Sequence, residues 1–558
     1  MPLSLLWTTP EERSLAPRLG AETALDLQLA ALARQLAPAA GDDRALLAIL
    51  LNLCQDETVI RYRQDILSDW LALPALVPRF EAALTAIQTL ESYLTYPDWH
   101  ETALQKVAWR LSELENYVAC VLLFAALLRE AGDGLRSEGM IRLRQAVQAI
   151  TEEAQFQQLQ QELPQLMPRI RSIGSITVGI NLDEDMRPTT ATLLTANPYH
   201  FQASSMMSRL FPKKGDSGTT DRPLHDSRQV NTGGASFAVE LRRTDSPFMP
   251  PLFRDLTLML EDISRPVVQA LKKYTALHSQ FFVALKTEIT FYLGAVRLIR
   301  RLEAAGLPVC VPQIAPAQER RTELAGLYNL HLALLVQGRG QPARETVVMN
   351  DARFTPDGRI FILTGPNMGG KTTYTGAVGV AQVLFQAGLH VPAVSARMSL
   401  ADGIYTHFAT EERPEGNTGR LGEEAQRLHA IFQQATGQSL ILMNESLAST
   451  SLSEGLYLAR EVVKILRVLG ARAIFATHLH DLALECDRLN AETPGTSPIV
   501  SLVSLVELEE RPGETTVRRT YRIVPGAPAG KSYAIELAAQ YGLSYGQLLA
   551  LLQERRVL

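Results

Sequence analysis

The run Gly365-Pro-Asn-Met-Gly-Gly-Lys371-Thr372 constrains this chain more than any other feature. It fits the pattern G-x-x-x-x-G-K-[ST], follows the apolar stretch Ile360–Thr364 directly, and precedes a helix-forming segment that opens after Thr372. The motif requires that context: a buried strand delivers a glycine-rich turn to the start of a helix. Glycines let successive backbone N–H groups turn inward as a nest for anions, and the helix start adds partial positive charge. Lys371 is expected to reach the β- and γ-phosphates of a nucleotide, and Thr372 to offer its hydroxyl to Mg²⁺. Gly365, Pro366, Asn367, Met368, Gly369, Gly370 and Thr373 complete the expected phosphate cradle.

Two more strand ends extend the pattern. Ser439-Leu-Ile-Leu-Met-Asn444-Glu445 reads as a buried strand ending in two polar residues, the Walker B arrangement. The first of the two normally supplies an Asp that holds the water shell of Mg²⁺, and the second a carboxylate that polarises the attacking water. Here the first is Asn444 and the second, Glu445, is intact, so Thr372, Asn444 and Glu445 form the candidate metal side of the site. An amide is neutral and accepts only through its carbonyl oxygen. This predicts weaker metal affinity or slower turnover rather than loss of ATP binding; an ordinary polar strand end is the alternative. Ala473-Ile-Phe-Ala-Thr-His478 is a third strand with a histidine at its exit. Beside the other two motifs His478 fits a sensor of γ-phosphate or water; alone it would be a structural histidine. His480 and Asp481 lie close, but no further ligand cluster supports a metal site there. Ser449, Thr450 and Ser451 follow Glu445 and are poor core material. In ATPases of this general plan such a segment faces the partner's nucleotide across a dimer interface, and it equally suits a helix N-cap.

Around these motifs, from about residue 310, short apolar strands alternate with helices, which predicts an α/β domain with a mostly parallel sheet covered on both faces. The first third reads as helix. Leu76, Phe80, Leu84, Ile87, Leu90 and Leu94 recur in steps of three and four, and after Tyr96-Pro97 so do Leu104, Val107, Leu111, Leu114, Val118 and Leu122. Ser175–Leu182 and Thr189–Leu194, rich in β-branched residues, predict a hairpin. Residues 204–235 read as a mobile loop whose Lys213, Lys214, Arg222 and Arg228 are offset by Asp216, Asp221 and Asp226; a phosphate-contacting loop and a solvated one both fit. Ala235–Leu241 suggests another strand. An apolar stripe from Leu256 to Leu302 predicts a helix of ~50 residues, ~75 Å long if unbroken, bent or begun at Pro266. The periodicity suits a motion-transmitting rod and an ordinary bundle helix alike. The expected division is 1–171 helical, 172–250 a β-rich insertion, 251–309 a long helix returning to the nucleotide domain, and 310–558 that domain with C-terminal helices.

With 558 residues the chain is too long for one core. Its formal charge of -5 gives no global reason to bind nucleic acid, so any such contact needs a local basic face. Cys54, Cys120, Cys310 and Cys486 form no C-x-x-C pair and are expected as buried free thiols. The first residues lack a basic leader, and no uncharged apolar run is long enough to span a bilayer, so a cytoplasmic protein with no membrane partner is expected.

The string Ile362–Tyr374 resembles the Walker A segment of the MutS family, and GPNMGGK is far more specific than the generic motif. Asn350-Asp351, Val391-Pro392-Ala393, Ala401–Thr406, Phe475–His478 and Tyr521–Ala534, with its GKSYA string, fall in the family's order. The resemblance covers about residues 310–545 well and the helical region loosely. It implies a dimeric ATPase of the ABC type, a P-loop NTPase domain preceded by a mainly helical lever domain. It implies ATP and Mg²⁺ as cofactors, a homodimer with composite sites, and DNA as partner in repair or recombination. Carried over by position, Lys371 and Thr372 bind phosphate and Mg²⁺, Glu445 is the catalytic carboxylate and His478 the switch histidine. Ser449, Thr450 and Ser451 approach the partner's ATP, and Gly416–Gly419 matches a mobile loop. The departures are Asn444 for Asp, no Phe-x-Glu wedge (Phe80-Glu81 lies in a helical stripe), a short β-rich segment and a chain that starts near the lever region, without the mismatch-reading domain. Two rivals follow from them: a nucleotide-gated scaffold with negligible hydrolysis, and an ABC-type ATPase acting on a protein partner.

Overall fold

The computed structural model describes residues 3–9, 12, 16–37, 42–94, 103–171, 175–186, 188–197, 199, 271, 274, 278–409, 419–511, 514–528 and 542–555. The loop 204–235, the strand expected at Ala235–Leu241, most of the long helix before residue 278, residues 416–418 and the GKSYA string lie outside the described residues. The chain folds as two units, one of residues 85–128 and 145–283, the other of residues 1–84, 129–144 and 284–558.

In the first unit the helical stripes close on an aromatic core. Tyr117 meets Phe156 edge-on at 6.1 Å, and Phe124 lies 5.1 Å from Phe282. The stripe expected through Leu122 drifts: Leu114, Tyr117, Val121 and Phe124 are buried while Leu122 is exposed. Within the 29-residue helix Ala103–Ala131 the face turned to Phe156 and Phe282 is that of Tyr117 and Phe124, and Leu122 falls outside it. By length and composition the helical stretch Val107–Gly134 is apolar enough to cross a membrane, although over half of its most apolar stretch is buried by packing. The predicted hairpin is present: β1 (Ser175–Leu182) pairs antiparallel with β2 (Pro188–Asn197).

The second unit carries two sheets. One holds β3 (Gln313–Ala315), β4 (Thr322–Leu327), β5 (Asn350–Phe354) and β7 (Ser395–Ser399) in the order β3-β7-β4-β5. The other is six-stranded, in the order β12-β11-β6-β10-β9-β8. Its members are β6 (Ile360–Thr364), β8 (Ile404–Phe408), β9 (Leu440–Asn444), β10 (Arg472–Ala476), β11 (Ile499–Arg511) and β12 (Glu514–Pro525). All neighbours in it run parallel except the edge strand β12. Every residue of β6, β9 and β10 is buried, as continuous apolar strands covered on both faces should be. Ile441, Met443 and Phe475 pack with Ala459, Val463 and Leu466 of the helix Leu452–Leu469. Leu442, one residue out of phase, faces the opposite side, close against Gly379 of the helix Lys371–Gln386.

A buried cation joins the two sheets. Arg472, fully buried, donates to the Thr322 hydroxyl at 2.8 Å and to the carbonyls of Ser399, Leu400 and Gln438 at 3.1, 3.1 and 3.2 Å. Burial pushes its guanidinium down to about 10, and dense hydrogen bonding makes the burial tolerable. The four cysteines are free thiols; Cys54, Cys120 and Cys486 are buried and Cys310 half-buried.

Two histidines, His407 fully buried and His390 half-buried, set an acid limit. Burial pushes His390 and His407 down to about 4, and neither nitrogen of His390 has a hydrogen-bond partner. An unfolded ring takes up its proton as the pH drops below about 6.5, while the folded rings stay neutral until about 4. Stability present above pH 6.5 is therefore lost across that window, by roughly 3 kcal/mol per ring. Urea unfolding at half-unit steps from pH 7.5 to 4.5 checks this; a flat midpoint between pH 7 and 5 would be the contrary result.

Candidate functional site

β6 ends in the turn 365–370, and the helix Lys371–Gln386 starts from it. Gly370, the N-cap, has φ +93° and Gly365 has φ +147°, conformations closed to residues with a Cβ. A Cβ on Gly365 would lie 2.7 Å from that of Ser504 on β11. The Ser504 hydroxyl donates to the Gly369 carbonyl at 2.6 Å, so the neighbouring strand sets the shape of the turn. Within it Gly369 N–H donates to the Pro366 carbonyl at 3.1 Å, while Asn367 and Met368 are exposed.

Lys371 is 5 % exposed, and its ammonium folds back on the turn. It donates to the carbonyls of Gly365 at 3.1 Å and Pro366 at 3.2 Å and lies 3.3 Å from Nε2 of His478. Burial lowers its pKa, and the charge of Glu445 partly opposes the shift. Next along the helix, Thr372 donates its hydroxyl to Oδ1 of Asn444 at 3.0 Å. Glu445, one residue beyond β9, stands 3.2 Å from the same Nε2 of His478, two residues beyond β10. Burial first, and the Lys371 charge second, hold His478 below its usual range. Its Nε2 touches a donor and an acceptor but serves only one at a time: bare, it accepts from Lys371; protonated, it donates to Glu445.

Of these groups Lys371, Thr372 and Glu445 border a cavity of about 470 Å³ lined by Met368–Tyr374, Asn350, Val348, Leu332 and Tyr521 among others, while Asn444 and His478 lie behind that lining. Among the described residues its lining holds one cation, Lys371, and one carboxylate, Glu445. Tyr521 was quoted in the sequence only as part of a family string. Here it sits at a register shift between β11 and β12, with φ +56°, which brings it to the cavity wall. Asn350 fixes it there, donating to the Tyr521 carbonyl at 3.0 Å and accepting from Ile523 N–H at 2.7 Å. Its only sequence signal was the Asn350-Asp351 string.

Ser449, Thr450 and Ser451 do not line this cavity. Thr450 and Ser451 donate to the Glu454 carboxylate at 2.6 and 2.9 Å, and Ser451 caps the helix Leu452–Leu469; the Ser449 hydroxyl is buried without a partner. Among the described residues no cluster of three metal-ligating side chains occurs, at His480-Asp481 or elsewhere.

Residues 361–546, which contain the glycine-rich turn, Asn444, Glu445 and His478, match the model of MutS domain V, and residues 55–305 match that of the MutS2 N-terminal domain. The chain belongs to the MutS family. Among its MutS relatives, "DNA mismatch repair protein MutS" of Chlorobium limicola is 27% identical over 488 residues, 85% of this chain and 49% of the relative. "DNA mismatch repair protein MutS 2" of Halobacterium salinarum is 30% identical over 242 residues, 42% of this chain and 28% of the relative. The matched part thus spans at most about half the length of these MutS proteins.

Proposed function

We propose that this MutS-family chain binds ATP and Mg²⁺ in the cavity above the glycine-rich turn, hydrolyses the ATP slowly, and works as a homodimer whose nucleotide state is coupled to DNA in repair or recombination. The observation that carries the reading is the chain of contacts Thr372–Asn444 and Lys371–His478–Glu445 at the ends of three neighbouring parallel strands. Lys371 and the N–H groups of the turn offset charge on the phosphates. The Thr372 hydroxyl and the Asn444 amide oxygen suit a hard cation that keeps several waters and takes its anionic ligands from phosphate. When bound, Mg²⁺ draws charge off the phosphate oxygens. Glu445 orients or activates the attacking water, and His478 exchanges Lys371 for the γ-phosphate. The base and ribose enter between Val348, Leu332 and Tyr521. Ser449, Thr450 and Ser451 meet the partner's nucleotide. DNA as the partner rests on the names of the relatives.

The test is the ATPase rate with and without perfect, mismatched and branched duplexes, with Glu445→Gln as the blank. Stimulation by one class names the substrate. A rate indifferent to every DNA removes DNA from the proposal and favours a protein partner.

Asn444 supports a second reading, a scaffold gated by nucleotide with little hydrolysis. Asn444→Asp places a carboxylate beside the Thr372 hydroxyl, so the Mg²⁺ concentration for half-maximal ATPase should fall about tenfold, with a faster turnover. A Mg²⁺ titration reads this. No hydrolysis by either form would select the scaffold; an unchanged midpoint would mean the metal is not held at Asn444.

A further inference from the structure

The carboxylate Glu445 is presented by a strained turn. Glu445 and Leu447 have φ +54° and +62°, the left-handed region, which a residue with a Cβ adopts only at a cost in free energy. Side chains from outside the turn hold it there. Glu424, 6 % exposed, accepts from the Leu447 N–H at 2.6 Å. Ser446, between the two strained residues, is also buried and lies against His407 of β8, the strand next to β9. Its hydroxyl donates to the His407 carbonyl at 3.0 Å, and the same oxygen is 2.6 Å from Nδ1 of the His407 ring. A hydroxyl has one proton. With that proton on the carbonyl, the ring donates its Nδ1–H to the oxygen, and Nε2 is left without a proton. His407 is fully buried, and its surroundings keep it uncharged at neutral pH, burial being the largest cause and the Arg427 charge the next.

We propose that His407 is a positioning residue for ATP hydrolysis: acting through Ser446, it locks the left-handed turn that aims Glu445 at the attacking water. The inference rests on the hydrolytic reading above. His407 touches neither nucleotide nor water, and it does not line the nucleotide cavity. Without its grip, Glu445 relaxes to ordinary backbone angles and its carboxylate swings off line. The turn around Lys371 belongs to β6 and β11 and keeps its shape. The loss therefore falls on kcat and leaves KM in place.

The experiment is steady-state Mg²⁺-ATP hydrolysis by the full chain carrying Ser446→Ala, His407→Leu or His407→Asn, with binding of a fluorescent ATP measured alongside. Ser446→Ala deletes one oxygen and serves should the histidine variants fold poorly. Ser446→Ala and His407→Leu should each lower kcat about ten- to a hundredfold with KM and binding within roughly twofold. His407→Asn, whose amide donates from near the position of Nδ1, should return kcat to within about threefold of the parent. An unchanged kcat in Ser446→Ala overturns the proposal, as does a KM that rises in step with the loss, or an Asn variant no better than Leu. A parent chain that binds ATP without hydrolysing it fails the hydrolytic reading and this role together; an active parent with an unaffected Ser446→Ala fails this role alone.

Discussion

Lys371→Ala weakens ATP binding by at least about a hundredfold. Among the described residues Lys371 is the one cation lining the cavity, so no other described side chain there takes over its work. Two charge-assisted hydrogen bonds to phosphate oxygens are worth about 1.5–3 kcal/mol each, and losing both corresponds to a hundredfold or more. The substitution leaves the glycine turn shaped by Ser504 from β11, so the loss is not one of folding. Titration with a fluorescent ATP analogue, beside a thermal melt, measures the effect. An affinity within about fivefold of the parent would mean that phosphate does not sit at this turn.

Glu445→Gln lowers kcat by about a hundred- to ten-thousandfold while ATP binding persists. The glutamine keeps the shape and a hydrogen-bonding reach toward His478, 3.2 Å away in the parent, but it cannot take or steer a proton as a carboxylate does. Among the described residues Glu445 is the one carboxylate lining the cavity. Because Asn444 is already neutral, the variant leaves the metal side of the site with no carboxylate. Single-turnover hydrolysis with enzyme in excess isolates the chemical step from product release. A loss of less than tenfold would place the base elsewhere, and salt-washed wild-type protein run in parallel excludes a contaminating ATPase as the source of residual rate.

What could be read from the sequence follows from how local each feature is. β6, β9 and β10 were legible because strands buried on both faces are mostly apolar runs, and the turn from Gly365, Glu445 and His478 follow their ends within two residues. The turn 365–370 was legible because its chemistry lies within eight consecutive residues. The four-stranded sheet was not. β3 has three residues, and β4, β5 and β7 have six, five and five, too few for an alternating pattern to stand out. Ser504 and Tyr521 were missed for a different reason: they lie on the strand pair β11–β12 and reach the turn only by folding, Ser504 across 135 residues. His407 looked like any polar residue on a strand, and nothing local announces a contact with Ser446 39 residues away. The hydroxyls at Ser449–Ser451 were singled out for a partner's nucleotide, and in this chain two of them are held by Glu454, which only the helix start at Leu452 brings within reach.

The clasp on Lys371 changes what it means for this site to fill. Its ammonium does not wait bare: two carbonyls of its own turn hold it. An incoming phosphate must therefore replace partners, not merely gain one. The donor is charged in either case, but a phosphate oxygen adds an opposite charge where a carbonyl offers only a dipole, so a polyphosphate wins the exchange, while a ligand offering only neutral acceptors gains nothing over the carbonyls it would displace. Selectivity for anionic nucleotides is thus present before any base is recognised, set by a competition that the loop runs against itself.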